Sequence, residues 1–439
     1  MNAETSIAPS RPRTDVFSRL LAGAALLYGS AFFYFVGATI VRFPVYDVLE
    51  WVRLYLADEK TAGWLAYLWT PHNEHRIVFS RLLVAIDVDW FGGTGAPFIL
   101  FGIVLTAGVA ATILWQIANS ELSDRVKMVS ASVSIILLLP SSTAIFSSMP
   151  LLGMFVQTCS FALFAIALQD TAPNSQARLK MLASLLMAIL ATFAGSGGIL
   201  LWPVVAYNAY RLGSPRWCLM ISILGAGYIA VYSRHVPVHS GEMSLNRMAL
   251  TVDYFMRFLG LPWSHAPATV WFGRLIGACI LIAGSALAVR DLVWQKPASK
   301  LERIGIALIL FGFLVALAAG YARWDVAPDR EMPIRYVLFV ALVHLGIFLA
   351  STSFLQRLWD NRSARKLAKV AIATTVSVLL LQQIVVGHAA TVEAGRYNEA
   401  WKEFVRGEWT SEMEHYVYPD KSVAVSDLEL LKRNHVYGQ

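Results

Sequence analysis

Asp47 is the first acidic residue after a long apolar run, and Glu50 follows it one helical turn later. A carboxylate at the mouth of an apolar segment is partly desolvated, which suits a general base that takes a proton from a hydroxyl. The same residue also reads as an acid on the exposed surface of a helix at an interfacial turn. Further along, His72, Asn73, Glu74, His75 and Arg76 form a run of hydrogen-bonding side chains just after Trp69 and Pro71. Two imidazoles, a carboxylate and a guanidinium can orient sugar hydroxyls, accept a proton and hold a phosphate. The alternative is a turn and capping cluster, with Pro71 and Asn73 as turn formers. The histidines lack the spacing of the zinc helix motif, and a histidine pair by itself supplies no third ligand. No cofactor is therefore expected, and a divalent metal finds no support in the spacing.

Cations come next. Arg81 follows the cluster, and Arg274 lies within a later apolar segment. A charge at the centre of a membrane span costs about 2.5–3.5 kcal/mol on insertion scales. Snorkelling toward the interface relieves much of that cost, so Arg274 reads either as a snorkelled residue or as a ligand for an anion. Arg323, Asp325, Arg330, Arg335 and Tyr336 populate a short late loop and the opening of the next span. Forked hydrogen bonds to a phosphate would give these arginines a role.

The elements that must position these groups are greasy. The chain has 439 residues, 57 % hydrophobic and 15 % charged, with 14 Trp and 23 Phe. Soluble domains carry about 25 % charged residues, so composition alone argues against a water-soluble globular enzyme. With 29 Gly, 17 Pro and 3 Cys, collagen, disorder and a disulfide-stapled fold are excluded as well. Cys159, Cys218 and Cys279 each fall in an apolar stretch, where a thiol behaves as a small hydrophobe. The fold class expected is all-α: a polytopic integral membrane protein with about eleven transmembrane helices and a long helical first outer loop. The spans fall near 19–41, 96–119, 128–147, 150–169, 181–196, 197–212, 217–233, 268–289, 304–320, 336–354 and 370–388. Those meeting at Gly195, Gly197 and Gly198 are short, and form either a tight hairpin or a pair of half-helices. His344, Gln382 and Gln383 lie within spans and suit helix–helix hydrogen bonds.

The net charge of +7 comes largely from short basic loops between spans. With segment 1–18 cytoplasmic, alternate loops carry Arg125 and Lys127, Arg178 and Lys180, Arg211 and Arg216, then Arg290 to Arg303 and Arg357 to Lys369. That is the positive-inside pattern, and it speaks for membrane lipids rather than nucleic acid as the partner. The first apolar run reads as a retained helix, not a cleaved signal. The transmembrane region then covers 19–388, with loop 42–95 as the active-site loop and 389–439 as an extracytoplasmic tail. In that loop Val48, Leu49, Val52 and Leu56 sit at helical spacing, with Asp47, Glu50 and Arg53 elsewhere on the helix. Such a helix is expected to lie in the membrane interface, with Trp51 and Tyr55 at headgroup depth. The tail, with Trp401, Trp409, Tyr416 and Tyr418, is placed over the site.

This layout resembles the GT-C superfamily of membrane glycosyltransferases, which take sugars from polyprenyl-phosphate carriers. The resemblance rests on the acid directly after the first span and on the long outer loop with its interfacial helices. The Trp69 to Arg76 run and the Arg335–Tyr336 pair also look like a group of bacterial polytopic membrane proteins. Many members pair two acids in this loop, whereas here Glu50 is a turn away from Asp47. The resemblance implies a bacterial inner-membrane enzyme and inverting transfer to a glycan or lipid acceptor of the cell envelope. Asp47 would deprotonate the acceptor hydroxyl, with Glu74 and His72 or His75 orienting it and Glu50, Asn73 and Tyr336 lining the site. Arg76, Arg81, Arg274, Arg323 or Arg335 would stabilise the departing lipid phosphate. A glycan flippase, a lipid-linked polymerase and a non-catalytic assembly protein are the rival classes. A flippase calls for charged residues near mid-membrane in several spans, and this chain keeps its acids almost wholly in loops.

Overall fold

The computed structural model describes residues 15–58, 63–72, 76–140, 150, 153–169, 175–234, 244–261, 263–264, 269–294, 299–323 and 332–437. Among these the chain is helical and contains no strand. In chain order the helices are α1 Val16–Ala38, α2 Asp47–Asp58, α3 Trp64–Trp69, α4 Val78–Phe91, α5 Ala96–Ala118 and α6 Asp124–Leu138. There follow α7 Gly153–Leu168, α8 Ser175–Ala194, α9 Leu201–Arg211, α10 Pro215–Tyr232, α11 Leu245–Leu259 and α12 Val270–Trp294. The last are α13 Lys300–Ala322, α14 Val337–Ala350, α15 Thr352–Asp360, α16 Arg362–Val405, α17 Met413–Tyr416 and α18 Lys421–Arg433.

Among the described residues seven helices are long and apolar enough to cross a membrane: α1, α5, α8, α10, α12, α13 and α16. An eighth results if α14 and α15, bent by 46°, count as one span. The sequence count near eleven also drew on α6, α7 and α9, whose described lengths are 15, 16 and 11 residues. A crossing takes about 20. At the glycine-rich break, α8 passes through a 3₁₀ turn, Ser196–Leu200, into the short α9. A Cβ on Gly198 would stand 2.0 Å from the Ala191 carbonyl oxygen, so the turn closes only with glycine there.

Contacts sort the helix ends. At one end Asp15 caps α1 and pairs with Lys369 at 2.5 Å, Ser123 bonds Gln356, and Arg211 pairs with Asp291. Arg290 reaches the Ala350 carbonyl at the same end. At the opposite end α1 terminates at Ala38, the backbone of Arg42 meets Gly95 ahead of α5, and Arg76 meets the end of α10.

On that second end sits a module with its own apolar core. It joins 41–55 and 77–85 to Trp401, Phe404, Val417, Leu428 and Leu431 from the C-terminal tail. Helix α16 runs unbroken for 44 residues and so carries the chain from the bundle into this module. Trp401 stacks on Phe43, centroids 4.7 Å apart and planes 6° from parallel. Trp51 and Tyr55 are 0 % and 3 % exposed. Their expected place at headgroup depth is thereby corrected: α2 presents its apolar stripe to protein, with α4 and α18 packed against it. The last described residue, Tyr437, donates its hydroxyl to buried Asp87 at 3.0 Å and its N–H to the Gly92 carbonyl. Asp87 also accepts the Gly95 N–H at 2.9 Å, so one carboxylate ties the tail to the turn before α5. Gly93 sits at φ +72°, and a Cβ there would meet the Tyr437 ring at 2.7 Å.

Tyr437→Phe removes one hydrogen bond to a buried charge and should lower stability by about 1.5–3 kcal/mol. Tail proteolysis should accelerate accordingly. Unchanged thermal unfolding and cleavage would show that Asp87 does not fasten the tail.

Candidate functional site

Asp47 opens α2 because the chain turns sharply just before it. Tyr46 adopts φ +49°, a conformation costly for a bulky residue, and its N–H is held by the Val417 carbonyl at 2.8 Å. Glu50 and Arg53 follow at successive turns, so the three charges share one face while Val48, Leu49 and Val52 occupy the other.

His72 lies between the two acids. Its Nε2 is 3.3 Å from Asp47 Oδ2 and its Nδ1 is 3.7 Å from Glu50 Oε2. The imidazole is 5 % exposed and stands edge-on to Trp51, whereas Asp47 is 49 % exposed. Protonated, the ring donates toward both carboxylates; neutral, it donates toward one and turns a lone pair toward the other. Two carboxylates and an imidazole are also the donor types of a divalent-metal site, with ligand atoms within 4.8 Å of one another. The nitrogens, however, face different carboxylates. The same arrangement therefore suits the ring either to pass a proton between the acids or to offer one nitrogen to an ion beside them.

The tail adds to the site. Arg53 Nε lies 3.5 Å from Asp427 Oδ1, and its terminal nitrogen 4.0 Å from Glu50 Oε1. Burial pushes the Asp427 carboxyl up to about 6; Arg53 opposes the shift and Glu50 adds to it. Burial also raises the Tyr418 hydroxyl, and Glu50, Asp427 and Asp47 reinforce this, which places Tyr418 in the same acidic field. Sequence reading marked Tyr418 only as part of a covering tail and missed Asp427, because nothing local links position 427 to position 53.

The expected cations divide into two sets. Arg76, 2 % exposed, donates to the carbonyls of Trp69, Tyr232 and Arg234 and lies over the Trp69 ring at 4.8 Å. Arg81, fully buried, donates to the carbonyls of Tyr67 and Thr70. Both guanidinium groups thus cap the end of the six-residue α3 and have structural partners.

The second set gathers around α11, which the sequence reading treated as outer loop. Arg274 makes a two-pronged pair with Asp253, at 2.6 and 3.2 Å, and Arg257 reaches the same carboxylate at 2.9 Å. Arg257 and Asp253 lie one turn apart on α11, a spacing visible in the sequence once a helix is drawn there. Arg247 lies over the Tyr321 ring at 4.5 Å. Arg323 ends α13, and Arg335 lies over the Tyr336 ring at 5.8 Å. Burial and then Tyr336 raise the Tyr254 hydroxyl while Arg323 and Arg335 pull it back, so these groups converge on Tyr254. Phe155 packs against Tyr336 and also against the core that α2 shares with the tail, which puts both sets at the same end of the bundle. Asn73, Glu74 and His75 lie outside the described residues, as do Asp325 and Arg330.

Comparison of the chain with protein-family profiles, curated proteins and solved structures finds no match to any of them.

Asp427 keeps its proton in the folded tail up to about pH 6, but an unfolded tail releases it near 3.8. The folded state therefore binds more protons between those values, and this group's contribution to stability falls as pH rises through them and is constant above. Relative to Asp427→Asn, the parent protein should lose thermal stability from about pH 4 to about pH 6 and run parallel beyond. A constant offset across that window would show that the buried carboxyl titrates normally.

Proposed function

We propose that the protein is a membrane glycosyltransferase of GT-C type, transferring a sugar from a polyprenyl-phosphate donor to a cell-envelope glycan or lipid. The observation that carries this reading is the half-exposed Asp47 at the outlet of the first long apolar helix, with the buried His72 between it and Glu50. The arginines around Tyr254 and Tyr336 at the same end supply the complementary charge. The helices of spanning length support a multi-pass inner-membrane location. The loops that carry Arg211, Arg290 and Lys369, at the end away from Asp47, face the cytoplasm in this reading and leave the site and the tail outside. Trp64, Leu65, Trp69, Trp90 and Phe91 are exposed on the outer module and take the headgroup-level place first expected for Trp51 and Tyr55.

In the transfer, Asp47 takes the proton of the acceptor hydroxyl as its oxygen bonds to the anomeric carbon. The bond from that carbon to the donor phosphate breaks, and its electron pair stays on the phosphate oxygen. Arg323, Arg335 and Arg274 stabilise the charge that develops there, where a low dielectric strengthens fixed cations. His72 and Glu50 hold Asp47 in position and spread its charge. Arg76 and Arg81 shape the loop.

Purified protein should move radiolabelled sugar from a polyprenyl-phosphate-sugar panel to envelope acceptors. Asp47→Asn should cut transfer by about 100-fold or more with folding retained. Arg323→Ala combined with Arg335→Ala should raise the donor KM, whereas Arg81→Ala should lower thermal stability instead. Full transfer by Asp47→Asn would remove the proposed base and the function with it.

A further inference from the structure

The acid–histidine arrangement is not self-supporting. Glu50 is 31 % exposed on the surface of α2, where water competes with His72 for its carboxylate. What reaches it is Arg53, and Arg53 is itself engaged by Asp427 on α18. Asp427 is 2 % exposed, and its Oδ2 has no hydrogen-bond partner among the described residues. A buried carboxylate with one oxygen unsatisfied is an expensive feature to keep for packing alone. An apolar residue would fill the same place on α18 beside Leu428 and Leu431 without that cost. The groups that face Asp427 are Arg53 and Glu50 from α2 and Tyr418 from the tail. All belong to the rim of the site.

We propose that Asp427 is a positioning residue for the candidate active site: through Arg53 it holds Glu50 against His72, so that the site is complete only when the C-terminal tail is docked. This rests on the reading of Asp47, Glu50 and His72 as catalytic groups. The tail is then part of the site as well as its cover. Losing the carboxylate releases Arg53 to collapse onto Glu50, which draws that acid away from the imidazole. Losing Arg53 leaves Glu50 and Asp427 to repel each other, with the same result for His72.

The test uses the full-length protein in detergent and the reagent diethyl pyrocarbonate, which modifies accessible imidazoles; labelling is read residue by residue by mass spectrometry. Asp427→Asn and Arg53→Gln should each label His72 about fivefold faster than the parent, because modification of a buried ring follows its local release. The double variant should label no faster than either single, since both act through one arm. His344, in the bundle, should keep its parental rate, and turnover should fall with the donor KM unchanged. Parental labelling of His72 in both singles overturns the proposal. Additive effects in the double variant, or a matching rise at His344, overturn it too, because the substitutions then loosen the fold generally. Faster His72 labelling in Asp427→Asn, together with full transfer by Asp47→Asn, keeps the arm and discards the catalytic reading.

Discussion

Burial of the apolar stripe of α2 between α4 and the C-terminal tail is the interaction on which the rest of the site depends. Val48, Leu49 and Val52 are essentially inaccessible, and each such side chain contributes about 1.5–3 kcal/mol when fully buried. Against this stands the left-handed turn at Tyr46, which costs on the order of 1–3 kcal/mol. Burial wins, and the turn is further fixed by the Val417 carbonyl from the same tail. Because the helix is clamped on one face, its opposite face is determined. Asp47, Glu50 and Arg53 are displayed together as a consequence of packing, and the tail, through Asp427, engages Arg53 on that face.

The buried arginines follow a different logic. An isolated helix of α3's length does not persist in water, since nucleation consumes more conformational freedom than so few hydrogen bonds return. Arg76 and Arg81 donate to the carbonyls at its end, where the helix leaves acceptors unsatisfied and partial negative charge collects. Hydrogen bonds to a charged group contribute about 1.5–3 kcal/mol each, and several per guanidinium offset a desolvation penalty of several kcal/mol. Arginine suits this place because its donors fan out in a fixed plane and it cannot discharge. A lysine would reach one carbonyl at a time. The cations nearest in sequence to the histidine run therefore belong to the scaffold.

Much of this was legible in the sequence, and the remainder failed for one reason. The spacing of Val48, Leu49 and Val52 against Asp47, Glu50 and Arg53 gave α2 and both its faces correctly. Periodicity reports that a face is buried but not by what. Trp51 and Tyr55 therefore read as interfacial in sequence, whereas their covering surface comes from His72, α3 and Asp89 of α4. Arg274 was noticed as a charge inside an apolar segment, but its partner Asp253 sat in a stretch taken for loop. Helix α11 is amphipathic and too short to span, so hydropathy alone does not draw it. Asp427 left no local trace at all. In each case the missing fact was a contact between distant parts of the chain.

The two charged sets differ in how their charge is held. On α2 the acids are paired: His72 stands between Asp47 and Glu50, and Arg53 between Glu50 and Asp427. Nitrogen donors alternate with carboxylates along this row, which leaves Asp47, at its end, the most exposed member. Around α11 one carboxylate, Asp253, serves Arg257 and Arg274 together. Arg335 and Arg247 rest on the rings of Tyr336 and Tyr321. A ring face holds a guanidinium in place without neutralising it, at roughly 0.5–2 kcal/mol. A row of acids ending in an accessible carboxylate, and a separate set of cations braced largely by aromatic rings, give one end of the bundle both signs of charge without mutual collapse. Charge separation of that kind is what a displacement at phosphate-linked carbon requires, since a proton leaves at one site while negative charge accumulates at the other.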